Sequence, residues 1–324
     1  MNNIEQKNQK PIAYYPGCSL NSTAIDYNIS VKNLLKILNI NFKEIKDWNC
    51  CGTTPAHNTS SEMSIALSAR NLFLAKNMGC EEIICPCVSC YCKLSEASFI
   101  LNSNIASRSE FEKKKREEIL RLFKNMGFDT ESELNFKVYS IIEFLYKNKD
   151  LIRQKFSENK MKNNNAIFSK KEKELLTQLK PVCYYGCVLL RAEYSTKFDN
   201  AENPVSMEEI LETVDIKSKN FRFKTECCGA ILSLTYKEIA LKLSKEILDA
   251  ALETGANSII VFCPLCQQNL DLRQTQINKR FKANYSIPIY YISQILGLAL
   301  GLSYEDVMIN KLFIEPEIKK IKTG

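Results

Sequence analysis

The stretches 47–57, DWNCCGTTPAH, and 225–230, TECCGA, contain the same Cys-Cys-Gly. A shift of 177 carries Cys50-Cys51-Gly52 onto Cys227-Cys228-Gly229. Working outward, each Cys-Cys-Gly has a single cysteine before it, Cys18 in YYPGC and Cys187 in YYGC, and a Cys-x-x-Cys after it. The latter are Cys87 and Cys90 in IICPCVSC and Cys263 and Cys266 in IIVFCPLC. A shift of 176 also superposes Thr59 on Thr235, Glu62 on Glu238 and Gly79 on Gly255. The small changes of shift are indels between elements, so the pattern predicts an internal duplication with one domain per copy.

The alignment of the chain on itself sorts its fourteen cysteines. Ten are matched between copies, and these are the candidate site residues. Cys80, Cys85, Cys92 and Cys183 fall opposite Ala256, Val261, Gln268 and Tyr14. They read as ordinary small buried residues.

At 324 residues the chain accommodates two domains, each able to bury its own core. No apolar run is long enough for a membrane span, and MNNIEQKNQKPIAYY has no apolar stretch of the kind a signal peptide needs. A cytoplasmic location is expected, where clustered cysteines point to metal binding in preference to disulfides. The net charge of +7 suits an anionic substrate or a lysine-rich solvated exterior. Nucleic acid is not expected, because aromatic residues do not interleave with the basic runs.

Short apolar runs ending at Gly17-Cys18, NFKEI, EEIIC and NSIIVF read as strands, each followed by a cysteine element. This predicts an α/β fold with two duplicated domains, each a small, mainly parallel sheet flanked by helices. The carboxyl ends of parallel strands share one edge, so five thiols per copy are expected to converge there. Thr59 to Glu62 and Thr235 to Glu238 read as capping boxes opening helices that close at Gly79 and Gly255. The expected domains are residues 1–178, with a charged helical insertion around 101–135, and 179–324. The polar stretch 157–180 is expected to hold the boundary, and residues 303–324 to end in a frayed tail.

Four cysteines satisfy one zinc or one cubane cluster. Five per copy, two of them adjacent, point to a cluster larger than or different in shape from a cubane, with structural zinc as the weaker alternative. His57, the one histidine, has no counterpart in the second copy and is a weak candidate for substrate contact. No dinucleotide or Walker glycine loop is present, so no nucleotide cofactor is implied.

YYPGCSL, DWNCCGTTPAH, IICPCVSCY, ECCGA and FCPLCQQNLDLRQ resemble the CCG-domain proteins over about residues 11 to 300. The similarity is greatest to the branch of the CoB–CoM heterodisulfide reductase B subunits. The resemblance implies two noncubane [4Fe–4S] clusters on the ten matched cysteines, and reductive cleavage of a mixed, anionic disulfide to two thiols. It also implies electrons from the reductase's ferredoxin-like C subunit and, through it, from its flavoprotein, the A subunit. The segment 100–180 is longer and more charged than the family pattern. Two other functions are kept in view: a CCG subunit of a fumarate, succinate or other quinone-linked oxidoreductase, and a non-catalytic metal-binding scaffold.

Overall fold

The computed structural model describes residues 10–53, 59–102, 109–131, 135–162, 170–192, 194 and 197–316. In chain order its elements begin with β1 (Ile12–Tyr14), a single helical turn (Gly17–Leu20), α1 (Ile25–Ile37), β2 (Phe42–Glu44), α2 (Ser61–Asn77), β3 (Glu82–Cys85) and α3 (Val88–Leu101). They continue with α4 (Glu110–Asn125), β4 (Lys137–Ser140), α5 (Ile141–Lys147), α6 (Lys149–Lys162) and α7 (Lys170–Gln178). The second copy contributes β5 (Pro181–Cys183), α8 (Ser206–Glu212), α9 (Lys237–Glu253), β6 (Ser258–Val261), α10 (Pro264–Leu272), α11 (Gln274–Phe281), β7 (Ile289–Tyr291) and α12 (Ile292–Ala299).

The first sheet has strand order β2-β1-β3-β4 and every pairing is parallel, with Ala13 opposite Lys43 and Ile83, and Ile83 opposite Val138. The second has order β5-β6-β7, again parallel, with Val182 opposite Ile259 and Ile260 opposite Tyr290. Lys219 forms an isolated parallel bridge to Val182, the position that β2 takes beside β1. Parallel pairing requires helical crossovers, and strands covered on both faces become uniformly apolar. Accordingly Ala13, Tyr14, Ile83, Ile84, Val182, Ile259 and Ile260 are all fully buried. The expected fold class is therefore the observed one.

The chain divides into two compact units. One comprises Met1–Asn21, Asn41–Ile141 and Ala192–Thr196, and the other Ser22–Ile40, Ile142–Arg191 and Lys197–Gly324. This division differs from the sequence copies, because α1 and the segment from α5 to α7 belong to the second unit. There Tyr27 stacks on Tyr291 with centroids 3.9 Å apart, and the Ser30 and Ser293 hydroxyls are 2.8 Å apart.

Local expectations fared unevenly. The helices α2 and α9 end just before Gly79 and Gly255, as expected. The capping boxes are not as expected. Ser60, not Thr59, caps α2, its hydroxyl accepting from Met63 N at 3.1 Å, and Tyr236 precedes α9 with no side-chain cap. Ser60 and Ser61 instead turn their hydroxyls to Glu62. The charged insertion is a helix, α4, opened by a Ser109–Glu112 capping box. It is docked by its apolar stripe, with Ile119 and Phe123 buried and Phe123 4.7 Å from Phe73. In the polar stretch around 157–180, Asn159 donates to Leu300 O at 2.7 Å and the buried Glu172 accepts from Tyr304 N at 3.2 Å.

Residues 303–316 do not fray. Tyr304, Val307, Ile309 and Leu312 are buried. Asp271 of α10 accepts from Phe313 N at 2.9 Å, Ile314 N at 3.1 Å and Gln267 Nε2 at 3.1 Å. Burial pushes this carboxyl up to about 6, against the downward pull of the two backbone N–H groups. The folded chain thus holds the proton more tightly than the unfolded chain does. The stability this confers is full below about pH 4 and is lost as pH rises through about 6. In urea unfolding, the stability of the wild type minus that of Asp271→Asn is expected to fall by about 2 to 3 kcal/mol from pH 4 to pH 7. A difference that is flat with pH would refute this.

Candidate metal centres

Each copy gathers its matched cysteines at the carboxyl edge of its sheet. Cys18 sits in the helical turn directly after β1, Cys50 and Cys51 follow β2, and Cys87 is the residue preceding α3, with Cys90 in its first turn. In the second copy Cys187 follows β5, Cys227 and Cys228 follow the Lys219 bridge, and Cys263 precedes α10 with Cys266 in its first turn.

The inner sulfurs touch. Cys51 Sγ lies 3.2 Å from Cys90 Sγ, and Cys228 Sγ lies 3.5 Å from Cys266 Sγ. The hydrogen bonds it shares with Cys50 and Cys90 draw the Cys51 thiol below its ordinary range, and the contact with Cys51 pushes Cys90 up. The same polarity recurs in the second copy, where Cys228 is lowered by Cys266 and Cys266 is raised. Hydrogen bonding from Cys90 also lowers Cys87. Donating to Cys51 raises Cys50. Cys187 is raised by burial and then by the neighbouring Cys227 charge. Gly52 N donates to Cys50 Sγ at 3.4 Å and Gly229 N to Cys227 Sγ at 3.3 Å. The first copy therefore buries Cys51, Cys87 and Cys90 and the second Cys228 and Cys266, while the other matched thiols are more accessible, Cys18 the most exposed.

Two glycines per copy shape this pocket. Gly52 and Gly229 have φ of +79° and +76°, and a Cβ there would meet Ser64 Cα at 3.1 Å and Ala240 Cα at 2.8 Å. The loop is pressed directly onto the helix that follows it. Gly17 and Gly186, at φ +69° and +71°, let the first loop approach the Cys-x-x-Cys, because a Cβ would lie 2.8 Å from Cys90 Sγ or 3.2 Å from Cys266 Sγ.

Supporting residues that the sequence reading missed are also duplicated. Ser68 Oγ donates to Cys51 O at 2.9 Å and Ser244 Oγ to Cys228 O at 3.0 Å. Tyr15 and Tyr184 each donate, at 2.7 Å, to the carbonyl before the Cys-Cys-Gly, that of Asn49 or Glu226. The signal was available, since Ser68 and Ser244 match at a shift of 176, and Tyr15 and Tyr184 at 169. Among the unmatched cysteines, Cys80, Cys85 and Cys183 are buried as expected, whereas Cys92 is half-buried. Cys85 lies beneath the first site, its Sγ 3.5 Å from Cys87 O and against Cys90. His57 lies outside the described residues.

Among the described residues no group of three or more His, Cys, Asp or Glu side chains is arranged to hold a single metal ion. The donors present are thiols only, five per copy with two adjacent, beside a loop that only glycine lets approach so closely, a set that fits an iron–sulfur group.

The family model described as a cysteine-rich domain, CCG, matches residues 12–95 and 181–271. The chain is 28% identical over 309 residues to the 8-methylmenaquinol:fumarate reductase membrane anchor subunit of Wolinella succinogenes, covering 95% of this chain and 98% of that one. It is 27% identical over 306 residues to the B subunit of the ferredoxin:CoB-CoM heterodisulfide reductase of Methanosarcina mazei, covering 93% and 92%. It is also 27% identical to a protein of Archaeoglobus profundus described as like the heterodisulfide reductase B subunit, covering 90% and 91%. A crystal structure of a hypothetical protein from Helicobacter pylori shares the fold, with a TM-score of 0.65 and 13% identity over 96% of this chain. This chain spans about half, 53%, of that one.

Proposed function

The chain belongs to the CCG family of cysteine-rich domains, and on that basis we propose that it is the disulfide-reducing subunit of an iron–sulfur complex. Family membership and the heterodisulfide reductase relatives imply iron–sulfur binding and an oxidoreductase assembly of several subunits. The finer reading is one noncubane [4Fe–4S] cluster per copy. Cys18, Cys50, Cys51, Cys87 and Cys90 would hold the first, and Cys187, Cys227, Cys228, Cys263 and Cys266 the second. The observation that carries it is the matched inner pair, Cys51 with Cys90 and Cys228 with Cys266, set at equivalent sheet edges with the same hydrogen-bond polarity.

Such groups supply single electrons and an iron to which sulfur can bind. The rest is the work of the chain. Buried Cys51, Cys90, Cys228 and Cys266 keep water from the inner side of each site, and the accessible Cys18 and the half-buried Cys187 lie at its outer side. Cleaving one S–S bond needs two electrons and yields two sulfurs, which gives a physical reason for two equivalent sites. The proposed substrate is an anionic mixed disulfide, consistent with the charge of +7. The proposed electron donors are a ferredoxin-like protein, corresponding to the C subunit of heterodisulfide reductase, and beyond it a flavoprotein corresponding to the A subunit.

A second reading is favoured by a specific surface. Ile231, Leu234, Tyr236 and Ile239, just after the second Cys-Cys-Gly, are 77%, 93%, 61% and 49% exposed. Apolar side chains so presented suit a partner or a membrane surface, and the fumarate reductase relative is named as a membrane anchor subunit. No helix of the described residues is long and apolar enough to cross a membrane. In this reading the chain is the CCG subunit of a quinol-linked oxidoreductase.

The test is iron, acid-labile sulfide and zinc per chain on protein purified without oxygen, followed by turnover. About eight irons with matching sulfide, and oxidation of a reduced dye by a mixed disulfide, support the first reading. Full loading with turnover driven only by a menaquinol favours the second. One or two zincs with little iron after reconstitution would leave a structural metal protein.

A further inference from the structure

The two sites differ in what touches their sulfurs. In the first, Thr53 Oγ1 lies 3.1 Å from Cys51 Sγ and 3.2 Å from Ser89 O. A shift of 177 puts Ala230 in that place in the second copy, a side chain with no donor. Fully buried Cys85, at the end of β3, directs its one S–H to Cys87 O at 3.5 Å. Its counterpart is Val261, equally buried and also without a donor. The contacts the copies share do not distinguish them. The Gly52 and Gly229 N–H groups reach the first cysteine of each pair at 3.4 and 3.3 Å. Tyr184 also lies near Cys228, but its one hydroxyl proton is directed to Glu226 O at 2.7 Å.

We infer that Thr53 makes the first site the stronger electron acceptor of the two, by donating an O–H hydrogen bond to the Cys51 sulfur. This rests on the cluster occupancy proposed above. Once Cys51 is a bound thiolate it is a better acceptor than the neutral Ser89 carbonyl at 3.2 Å, because charge-assisted hydrogen bonds are the stronger ones, whereas Tyr184 is held by its short 2.7 Å bond to Glu226 O. Donors to ligand sulfur stabilise the added negative charge of the reduced state and so raise the reduction potential. A one-electron donor of the ferredoxin type would then fill the first site before the second. The two electrons that a disulfide consumes would be collected in a fixed order.

The experiment is a reductive titration of the loaded full-length chain followed by electron paramagnetic resonance. Iron content and the urea midpoint are measured on every variant to identify any that fails to fold. Wild type is expected to show two reduction waves. Thr53→Ala should lower the more positive wave and leave the other in place. The reverse change, Ala230→Thr, should raise the lower wave and narrow the gap. Fully loaded variants with unmoved waves, or two coincident waves in the wild type, overturn the inference while leaving occupancy intact. A chain that takes up no cluster overturns the occupancy reading, and the inference falls with it.

Discussion

Cys228→Ser is expected to remove about half of the bound iron, about four atoms of eight, and to lower mixed-disulfide reduction by more than about 100-fold. Cys228 is 4% exposed, and its sulfur is at once partner to Cys266 and the lowered thiol of the second inner pair. A serine hydroxyl is not a thiolate, and at this depth no water can replace the lost donor. Cys80→Ser is the contrast. That thiol is equally buried but lies opposite Ala256, with its sulfur 3.9 Å from Met78 O. It is expected to keep iron and turnover at the wild-type level. Metal analysis and a dye-linked assay on both variants decide the matter, and equal losses would sink the sorting of cysteines on which the site rests.

Gly229→Ala should destabilise the chain by about 2 to 5 kcal/mol, the sum of a left-handed backbone and an overpacked contact. Its φ is +76°, and the new methyl would lie 2.8 Å from Ala240 Cα, a backbone atom of α9 that cannot swing aside. The helix or the loop must shift, and the loop carries Cys227 and Cys228. Urea unfolding reads the stability, and the iron remaining in folded protein reads the site. Gly255→Ala serves as the control. That glycine also has positive φ but meets nothing within 4 Å, so only the backbone part of the loss is expected. Equal losses in the two variants would show that contact with α9 is unimportant.

Much of the site was legible because duplication turns one sequence into an alignment of two. The matched cysteines, the parallel sheets and the delivery of each cysteine element from a strand end could all be read that way. What escaped was of two kinds. Ser68 with Ser244 and Tyr15 with Tyr184 match as well as the cysteines do, but hydroxyls that hold a backbone carbonyl carry no spacing signature of their own. The segment 303–316 falls in a tail expected to fray. Its order comes from Asp271, more than thirty residues upstream, accepting the N–H groups of Phe313 and Ile314. The capping boxes failed for a local reason: Glu62 is engaged by the Ser60 and Ser61 hydroxyls, and Thr235 lies outside the first turn it was expected to cap.

The placement of α1 bears on how the chain folds and how it can be divided. Residues 22–40 connect two neighbouring strands of the first sheet, yet Tyr27, Ser30 and Asn33 make their contacts with Tyr291, Ser293 and Asp306, more than 260 residues along the chain. Contacts this distant in sequence carry a large loop-closure cost and slow folding. They also make any cut between the copies expensive. A fragment ending near residue 178 would keep α1 but lose the partners of Tyr27, Ser30 and Asn33, and the remaining fragment would lose α1 itself. The duplication is visible in the sequence, but the two copies are no longer separable modules.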